Sequence, residues 1–325
     1  MVKSLSKKFL KIFGLKIVRI PRQRIIHLAL RKFFNQADKI SLVKMLAEEP
    51  LNANLHLQYA VDASNSGSPF LAYAELKTAE YLRGDREQLE KHKAAFRDAI
   101  PDLNQMNHNQ YYRFVTLASE LIMRGGKSNF SVLDVGGGQG ELASFIPDTT
   151  YCLAEPTVNG ISGTNLPFPD HSFDFIVSCH VLEHIPVGER KIFLDQLLSK
   201  ARHGVILLNP FYVEGTRVAE RLKLFIEITG AQWAKEHLDC TLPKVDEIKN
   251  YATEKGLHFC VKPNGTMTTS MAFVFIDYFA SKPENHENWK KVNKFFNGKY
   301  TDILDSTEYP TSYLIYLGWP EVKKE

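Results

Sequence analysis

The segment that most constrains the fold is a short apolar run that leads directly into a glycine-rich loop. Residues 131–135 read Ser-Val-Leu-Asp-Val, the next five read Gly-Gly-Gly-Gln-Gly, and a helical pattern follows over residues 141–145. A strand that passes through a glycine loop into a helix is typical of α/β sheets, whose ligands bind beyond the carboxyl ends of the strands. We therefore expect a ligand site at this loop.

Other short apolar runs recur along the chain after residue 126. Helical stretches separate most of them, which predicts an α/β domain with a largely parallel sheet. The runs lie at residues 151–154, 173–178, 205–208, 257–262 and 312–317.

The spacing of the glycines distinguishes between two classes of cofactor. A dinucleotide fingerprint would require a third glycine at position 141, where this chain has Glu141. The glycines instead fall at positions 136, 138 and 140, which lets the backbone approach a nucleoside-bearing ligand without interference from Cβ atoms. Asp134, at the end of the strand, can accept hydrogen bonds from an ammonium group or from the amides of the loop.

The segment from Val132 to Gly140 resembles the first motif of the class I S-adenosylmethionine-dependent methyltransferases of the type 11-like group. Three further segments follow in the order of that family: Glu155, the stretch Asn-Leu-Pro-Phe-Pro-Asp-His-Ser-Phe-Asp at 165–174, and Ile-Val-Ser-Cys-His-Val-Leu-Glu-His-Ile at 176–185. The resemblance implies a Rossmann-like, seven-stranded methyltransferase sheet, an enzyme, and S-adenosylmethionine as its cofactor.

The same resemblance implies where the cofactor is bound. Glu155 would accept both ribose hydroxyls, and Ser162 stands where many relatives have an aspartate. The short interval between Glu155 and Asn165 also predicts that the usual second crossover helix is shortened or missing. The expected cofactor-binding residues are Asp134, Gly136, Gly137, Gly138, Gly140, Glu155, Ser162, Asn165, Leu166 and Ser178.

Methyl transfer is an in-line displacement, so the enzyme mainly positions its two partners, and a hydroxyl acceptor also benefits from a general base. The family places the residues after the fourth strand beside the reactive methyl group, which nominates His180 and His184. His237, from a later helical segment, is a third candidate. The sequence contains no recognised metal-binding motif, so no metal is expected.

The identity of the acceptor is predicted from weaker resemblances. The trimmed crossover, residues 232–237 and residues 7–19 resemble segments of proteins from bacterial surface-polysaccharide gene clusters. They favour O-methylation of a sugar or glycan precursor in cell-envelope polysaccharide synthesis. Two alternatives stay open, a quinone or lipid methyltransferase and a non-catalytic cofactor-binding module.

Three regions are expected along the chain. Residues 1–37 form a basic amphipathic arm, and residues 38–105 form a helical region with a tetratricopeptide-like hairpin. Residues 106–325 form the methyltransferase domain, with helical insertions at about 211–250 and 267–305.

The arm contains ten lysines or arginines and no acidic residue, although the whole chain has a net charge of only +3. Its apolar residues recur every three or four positions, which predicts a helix that packs on the protein's own body or lies on an anionic membrane through residues 1–20. Nucleic acid is not expected as a partner. Four scattered cysteines and the lack of a long apolar stretch predict a cytoplasmic protein, at the inner face of the membrane if the arm binds lipid.

Overall fold

The computed structural model describes residues 42–126, 129–215, 217–280, 282–299 and 310–320. The predictions for the basic arm, residues 1–37, lie outside the described residues. No helix among those described is both long and apolar enough to cross a bilayer.

A single six-stranded sheet forms the centre of the described chain, in the order β2-β1-β3-β4-β6-β5. The first four strands are parallel, whereas β6 runs antiparallel between β4 and β5. The strands are β1 (Ser131–Val135), β2 (Thr150–Ala154), β3 (Phe173–Cys179), β4 (Ala201–Asn209), β5 (His258–Asn264) and β6 (Ser312–Gly318).

The mixed α/β fold class is confirmed, but the predicted count of seven strands is wrong for the described residues. The difference arises between β2 and β3, where the chain makes a tight turn bridged between Ser162 and Asn165 and forms neither a strand nor a crossover helix. The short interval after Glu155 leaves no room for either element. The expectation of a trimmed crossover is therefore confirmed.

Helices cover both faces of the sheet. Residues 42–48 are helical, and single 3₁₀ turns occur at Leu103–Gln105, Leu182–His184, Val187–Glu189 and Pro283–Asn285. The α-helices are α1 (Ala53–Asn65), α2 (Pro69–Tyr81), α3 (Arg86–Asp98), α4 (His108–Gly125), α5 (Leu142–Phe145), α6 (Arg190–Lys200), α7 (Val218–Thr229), α8 (Gln232–Leu238), α9 (Val245–Glu254), α10 (Met267–Ala280) and α11 (His286–Lys299).

Polar caps and a proline determine where the first helices begin. The side chains of Asn52, Asp85 and Asn107 each accept backbone N–H groups at the starts of α1, α3 and α4, which satisfies donors that have no partner within the helix. Pro69 occupies the first position of α2, where its missing N–H costs nothing.

The helical hairpin of α1 and α2 covers the outer edge of strand β2. The hydroxyl of Thr78 accepts the N–H of Leu153 at 3.0 Å, and the side-chain amide of Asn159 donates to the carbonyl of Leu153 at 2.9 Å. The same amide donates to Glu75, which also pairs with the buried His56. Both backbone groups of Leu153 are thereby satisfied by side chains, so this sheet edge is closed.

The hairpin also contributes to the main hydrophobic core. Tyr81, the last residue of α2, stacks on Phe173 with ring centroids 4.5 Å apart, and Phe168 meets Phe173 edge to face at 5.1 Å. Phe173 and Phe193 are fully buried. Burial of each such ring contributes about 1.5–3 kcal/mol to stability, so the hairpin and the sheet stabilise each other.

Candidate active site

The glycine loop after β1 has a backbone that only glycine adopts easily. Gly136, Gly138 and Gly140 have φ angles of +76°, +58° and +74°. A Cβ atom at position 136 would lie 2.2 Å from Val181, and one at position 140 would lie 2.2 Å from Ala74. The loop is therefore fixed by backbone conformation and by close contacts on two sides.

Asp134 lies beneath this loop and is buried. A Cβ atom at Gly137 would lie 2.4 Å from its carboxylate, and the hydroxyl of Tyr151 donates to the same carboxylate at 2.8 Å. Burial raises the pKa of Asp134 to about 7. The carboxyl group therefore supports the loop from below, and its contact with the cofactor stays a prediction.

Glu155, directly after β2, connects the glycine loop to the next turn. One carboxylate oxygen accepts the N–H of Gly138 at 3.3 Å, and the other accepts the N–H and hydroxyl of Thr157 at 3.1 and 2.8 Å. A Cβ atom at Gly138 would find only the Glu141 carboxylate within 4 Å, so space is open outside the loop. An acidic group beside open backbone suits a ligand with neighbouring hydroxyl donors.

The remaining predicted cofactor residues lie at the same end of the sheet. Ser162 and Asn165 bracket the tight turn, and the N–H of buried Leu166 donates to Gln196 at 3.1 Å. Ser178, the penultimate residue of strand β3, is fully buried, and its hydroxyl oxygen has no hydrogen-bond partner within the described residues. Buried hydroxyls without a hydrogen-bond partner are rare in folded proteins.

The first candidate base, His180, directly follows β3 in the left-handed conformation, with φ +57°. Its Nδ1 lies 3.4 Å from Oε1 of Glu183, which is buried and accepts a hydrogen bond from Asn209 at 2.7 Å. Burial, together with the positive charge of Arg113, lowers the pKa of His180 to about 4. The imidazole is therefore neutral at neutral pH and backed by a carboxylate.

A cavity of about 410 Å³ opens at the carboxyl ends of β3 and β4. His180, His184 and His237 all line it, so the structure brings the three predicted histidines to one place. Helices α8 and α10 also contribute to its wall, through Trp233 and Met271.

Arg113 lines the same cavity from α4 and was not identified from the sequence. Within the described part of the chain no carboxylate lies within 4.0 Å of its guanidinium, and burial lowers its pKa. The local sequence shows only one arginine in an amphipathic helix, so no pattern marks it. Its place in the cavity makes it a candidate for binding an anionic group.

A larger cavity, of about 1030 Å³, lies at the opposite end of β2. It is enclosed by α2, α3 and the turn at 147–150, and Lys77 reaches across it to the carbonyl of Pro147 at 2.7 Å. Ligand sites of parallel sheets lie at the carboxyl ends of the strands, so the smaller cavity is the better candidate for chemistry.

Part of the chain matches a known protein family. Residues 106–258 match the family model for a methyltransferase domain. No curated protein matches the sequence significantly.

Solved structures resemble the fold at low sequence identity. A protein from Anabaena variabilis, described as a methyltransferase of an antibiotic biosynthesis pathway, is 15% identical, with a TM-score of 0.43 over 63% of this chain and 98% of its own. Phosphoethanolamine N-methyltransferase 2 of Haemonchus contortus is 13% identical, with a TM-score of 0.40 over 63% and 53% of the two chains. Magnesium protoporphyrin IX methyltransferase of Synechocystis is 14% identical, with a TM-score of 0.36 over 64% and 79%.

Proposed function

Since the chain is a class I S-adenosylmethionine-dependent methyltransferase whose residues 106–258 match the family model for a methyltransferase domain, we propose that it transfers a methyl group to a hydroxyl of a sugar or glycan precursor held in the cavity of about 410 Å³. One observation carries the proposal: a single chain step, from Val181 to His180, connects the glycine loop to this cavity. Val181 packs on Gly136, and its chain neighbour His180 lines the cavity wall.

The residues at the loop fit the cofactor. The open backbone at Gly138, the two acceptor oxygens of Glu155 and the unpartnered hydroxyl of Ser178 lie at one end of the sheet, where they would hold its nucleoside and amino-acid parts. When bound, S-adenosylmethionine supplies an electrophilic methyl group on a sulfonium. The chain therefore has to position the acceptor oxygen and remove its proton.

The lining of the cavity suits a sugar. Asn109, Ser270 and Thr311 provide hydrogen-bonding groups, while Trp233 and Tyr112 provide aromatic surface. A sugar ring presents hydroxyls at its rim and apolar C–H faces, so it matches such a mixed lining. Arg113 would pair with a phosphate or carboxylate attached to the sugar.

The apolar part of the same lining supports a second candidate. Leu222, Met267 and Val274 come from the helical insertions, and they would suit the ring or chain of a quinone or lipid acceptor.

Among the three histidines, the geometry favours His180 as the proton acceptor. It directly follows β3, and the carboxylate of Glu183 lies 3.4 Å from its Nδ1. That carboxylate orients the ring and would stabilise the imidazolium that forms when the acceptor hydroxyl loses its proton.

Two experiments test the proposal. Calorimetric titration with S-adenosylmethionine should give binding heat, and Glu155→Ala should weaken it. No heat from a folded sample would contradict cofactor binding, whereas retained affinity in Glu155→Ala would contradict only the role of Glu155.

Transfer of a labelled methyl group should then be measured with nucleotide sugars, lipid-linked glycan precursors and quinones as acceptors. Label in the sugars supports the proposal, and label in quinones alone supports the second candidate. Cofactor binding without transfer to any class would favour a non-catalytic module.

A further inference from the structure

Three side chains with metal-binding atoms converge where α8 meets the turn after β3. One ligand atom from each of His184, His237 and Cys240 lies within 4.8 Å of the others. The sulfur of Cys240 is 3.3 Å from Nδ1 of His184, and the rings of His184 and His237 are 6.0 Å apart. We propose that these three residues bind a zinc ion at the wall of the cavity.

The distances suit a tetrahedral ion. Zinc binds nitrogen at about 2.0–2.1 Å and thiolate sulfur at about 2.3 Å, which places neighbouring ligand atoms about 3.5 Å apart. The contact between Cys240 and His184 already has this length. The third ligand, His237, has to approach by about an ångström, within the reach of a side-chain rotation.

The ligand set selects the class of metal. Two imidazoles and one thiolate suit zinc better than magnesium or calcium, which prefer oxygen ligands. Three protein ligands also leave the fourth tetrahedral position open. His184 and His237 both line the cavity, so this position is accessible from the acceptor side.

The surroundings of His184 support the assignment. Its Nε2 lies 4.0 Å from Oε1 of Glu183, a buried carboxylate held by Asn209 at 2.7 Å. This separation is longer than a hydrogen bond, and a small rotation of the imidazole would let the carboxylate accept the Nε2–H and hold the ring with Nδ1 toward the metal. The side chain of His184 is 54% exposed, so an ion can enter from solvent.

Metal binding would give the three histidines different roles. An imidazole whose lone pair is bound to zinc cannot accept a proton, so His184 and His237 would hold the ion while His180 remains available as a base. The site does not depend on the proposed methyl transfer, since its test reads metal binding directly.

The experiment uses the full chain, stripped of metal with a chelator and titrated with Co²⁺. We expect one Co²⁺ per chain, a sulfur-to-cobalt charge-transfer band in the near ultraviolet, the intense visible bands of tetrahedral cobalt, and displacement of the cobalt by Zn²⁺. Cys240→Ser should abolish the charge-transfer band, and His237→Gln should weaken binding by at least about tenfold, since even groups behind a ligand cost that much.

His258→Gln and Cys260→Ser are matched controls, because they remove the same side-chain types from β5 and should leave the spectra unchanged. A wild-type chain without the charge-transfer band, or a band that persists in Cys240→Ser, would overturn the proposal.

A second measurement needs no variant. Zn²⁺ should protect the thiol of Cys240 from alkylation, as identified by peptide mass, and should not protect Cys260. Equal alkylation of Cys240 with and without Zn²⁺ would also overturn the proposal.

Discussion

At the scale of single residues, the buried carboxyl group of Asp134 beneath the glycine loop makes the free energy of unfolding depend on pH. Its pKa is raised from 3.8 to about 7 because burial disfavours the charged form. The folded chain therefore binds this proton more tightly than the unfolded chain does. The resulting contribution to the free energy of unfolding is complete below pH 3.8 and is lost as the pH rises through about 7.

Asp134→Asn keeps an acceptor for the Tyr151 hydroxyl and removes this titration. At about 1.4 kcal/mol per pKa unit, we expect the wild-type chain to lose on the order of 4 kcal/mol relative to the variant between pH 4 and pH 7. Urea denaturation across this range measures the difference. Parallel curves for the two chains would contradict it, and Asp170→Asn, at an exposed aspartate, should keep the wild-type slope.

His180 is the residue on which the chemistry should depend most. His180→Gln should lower kcat by about 100-fold or more, because no side chain then takes the proton from the hydroxyl that receives the methyl group. The Kd for S-adenosylmethionine should change little. His171→Gln is a matched control, since His171 also has a positive φ, of +52°, and lies outside the cavity. Steady-state kinetics and calorimetry provide both quantities, and full turnover in His180→Gln would show that positioning alone carries the reaction.

The contact between α2 and the edge of β2 is the feature to test at the scale of elements. Thr78→Val removes the acceptor of the Leu153 N–H and leaves that donor buried without a partner. We expect a loss of about 1–3 kcal/mol in the free energy of unfolding, measured by denaturation. Thr78→Ser keeps the hydroxyl and should recover most of the loss, and equal stability of all three chains would mean that this contact does not hold the edge.

Individual strands and helices could be predicted because a few neighbouring residues determine each of them. The strand at 131–135 and the helix that begins at Pro69 are encoded by runs, caps and a proline within a few residues. The six apolar runs of the sequence match the six strands, whereas the predicted count of seven came from the family pattern, which implies a third parallel strand that the tight turn after Glu155 replaces. Arg113 and Cys240 were missed as site residues because only tertiary packing brings them to the cavity wall and to His184.

At the scale of the whole molecule, the predicted domain boundary near residue 105 stays a prediction, and contacts link the parts of the chain on its two sides. The described residues from 43 onward form one compact unit, in which the hairpin closes the β2 edge and Tyr81 stacks on Phe173.

We therefore expect a chain that starts at residue 106 to lose cooperative thermal unfolding and to aggregate through the opened edge. A chain that starts at residue 43 should unfold in one transition. Circular dichroism melts and size-exclusion chromatography distinguish the two, and a monomeric, cooperatively melting chain from residue 106 would contradict this expectation and support the domain boundary near residue 105.

The position of β6 between β4 and β5 has a consequence for how the chain folds during its synthesis. Strand β4 ends at Asn209, yet the neighbour that completes it begins only at Ser312. At about 5–20 residues per second, roughly 100 residues of translation take about 5–20 s, during which the apolar strand β4 has an open edge on the ribosome. The nascent chain should therefore depend on chaperones that shield such edges, and the candidate cavity, whose lining includes Thr311 and Ser312, forms only after this interval.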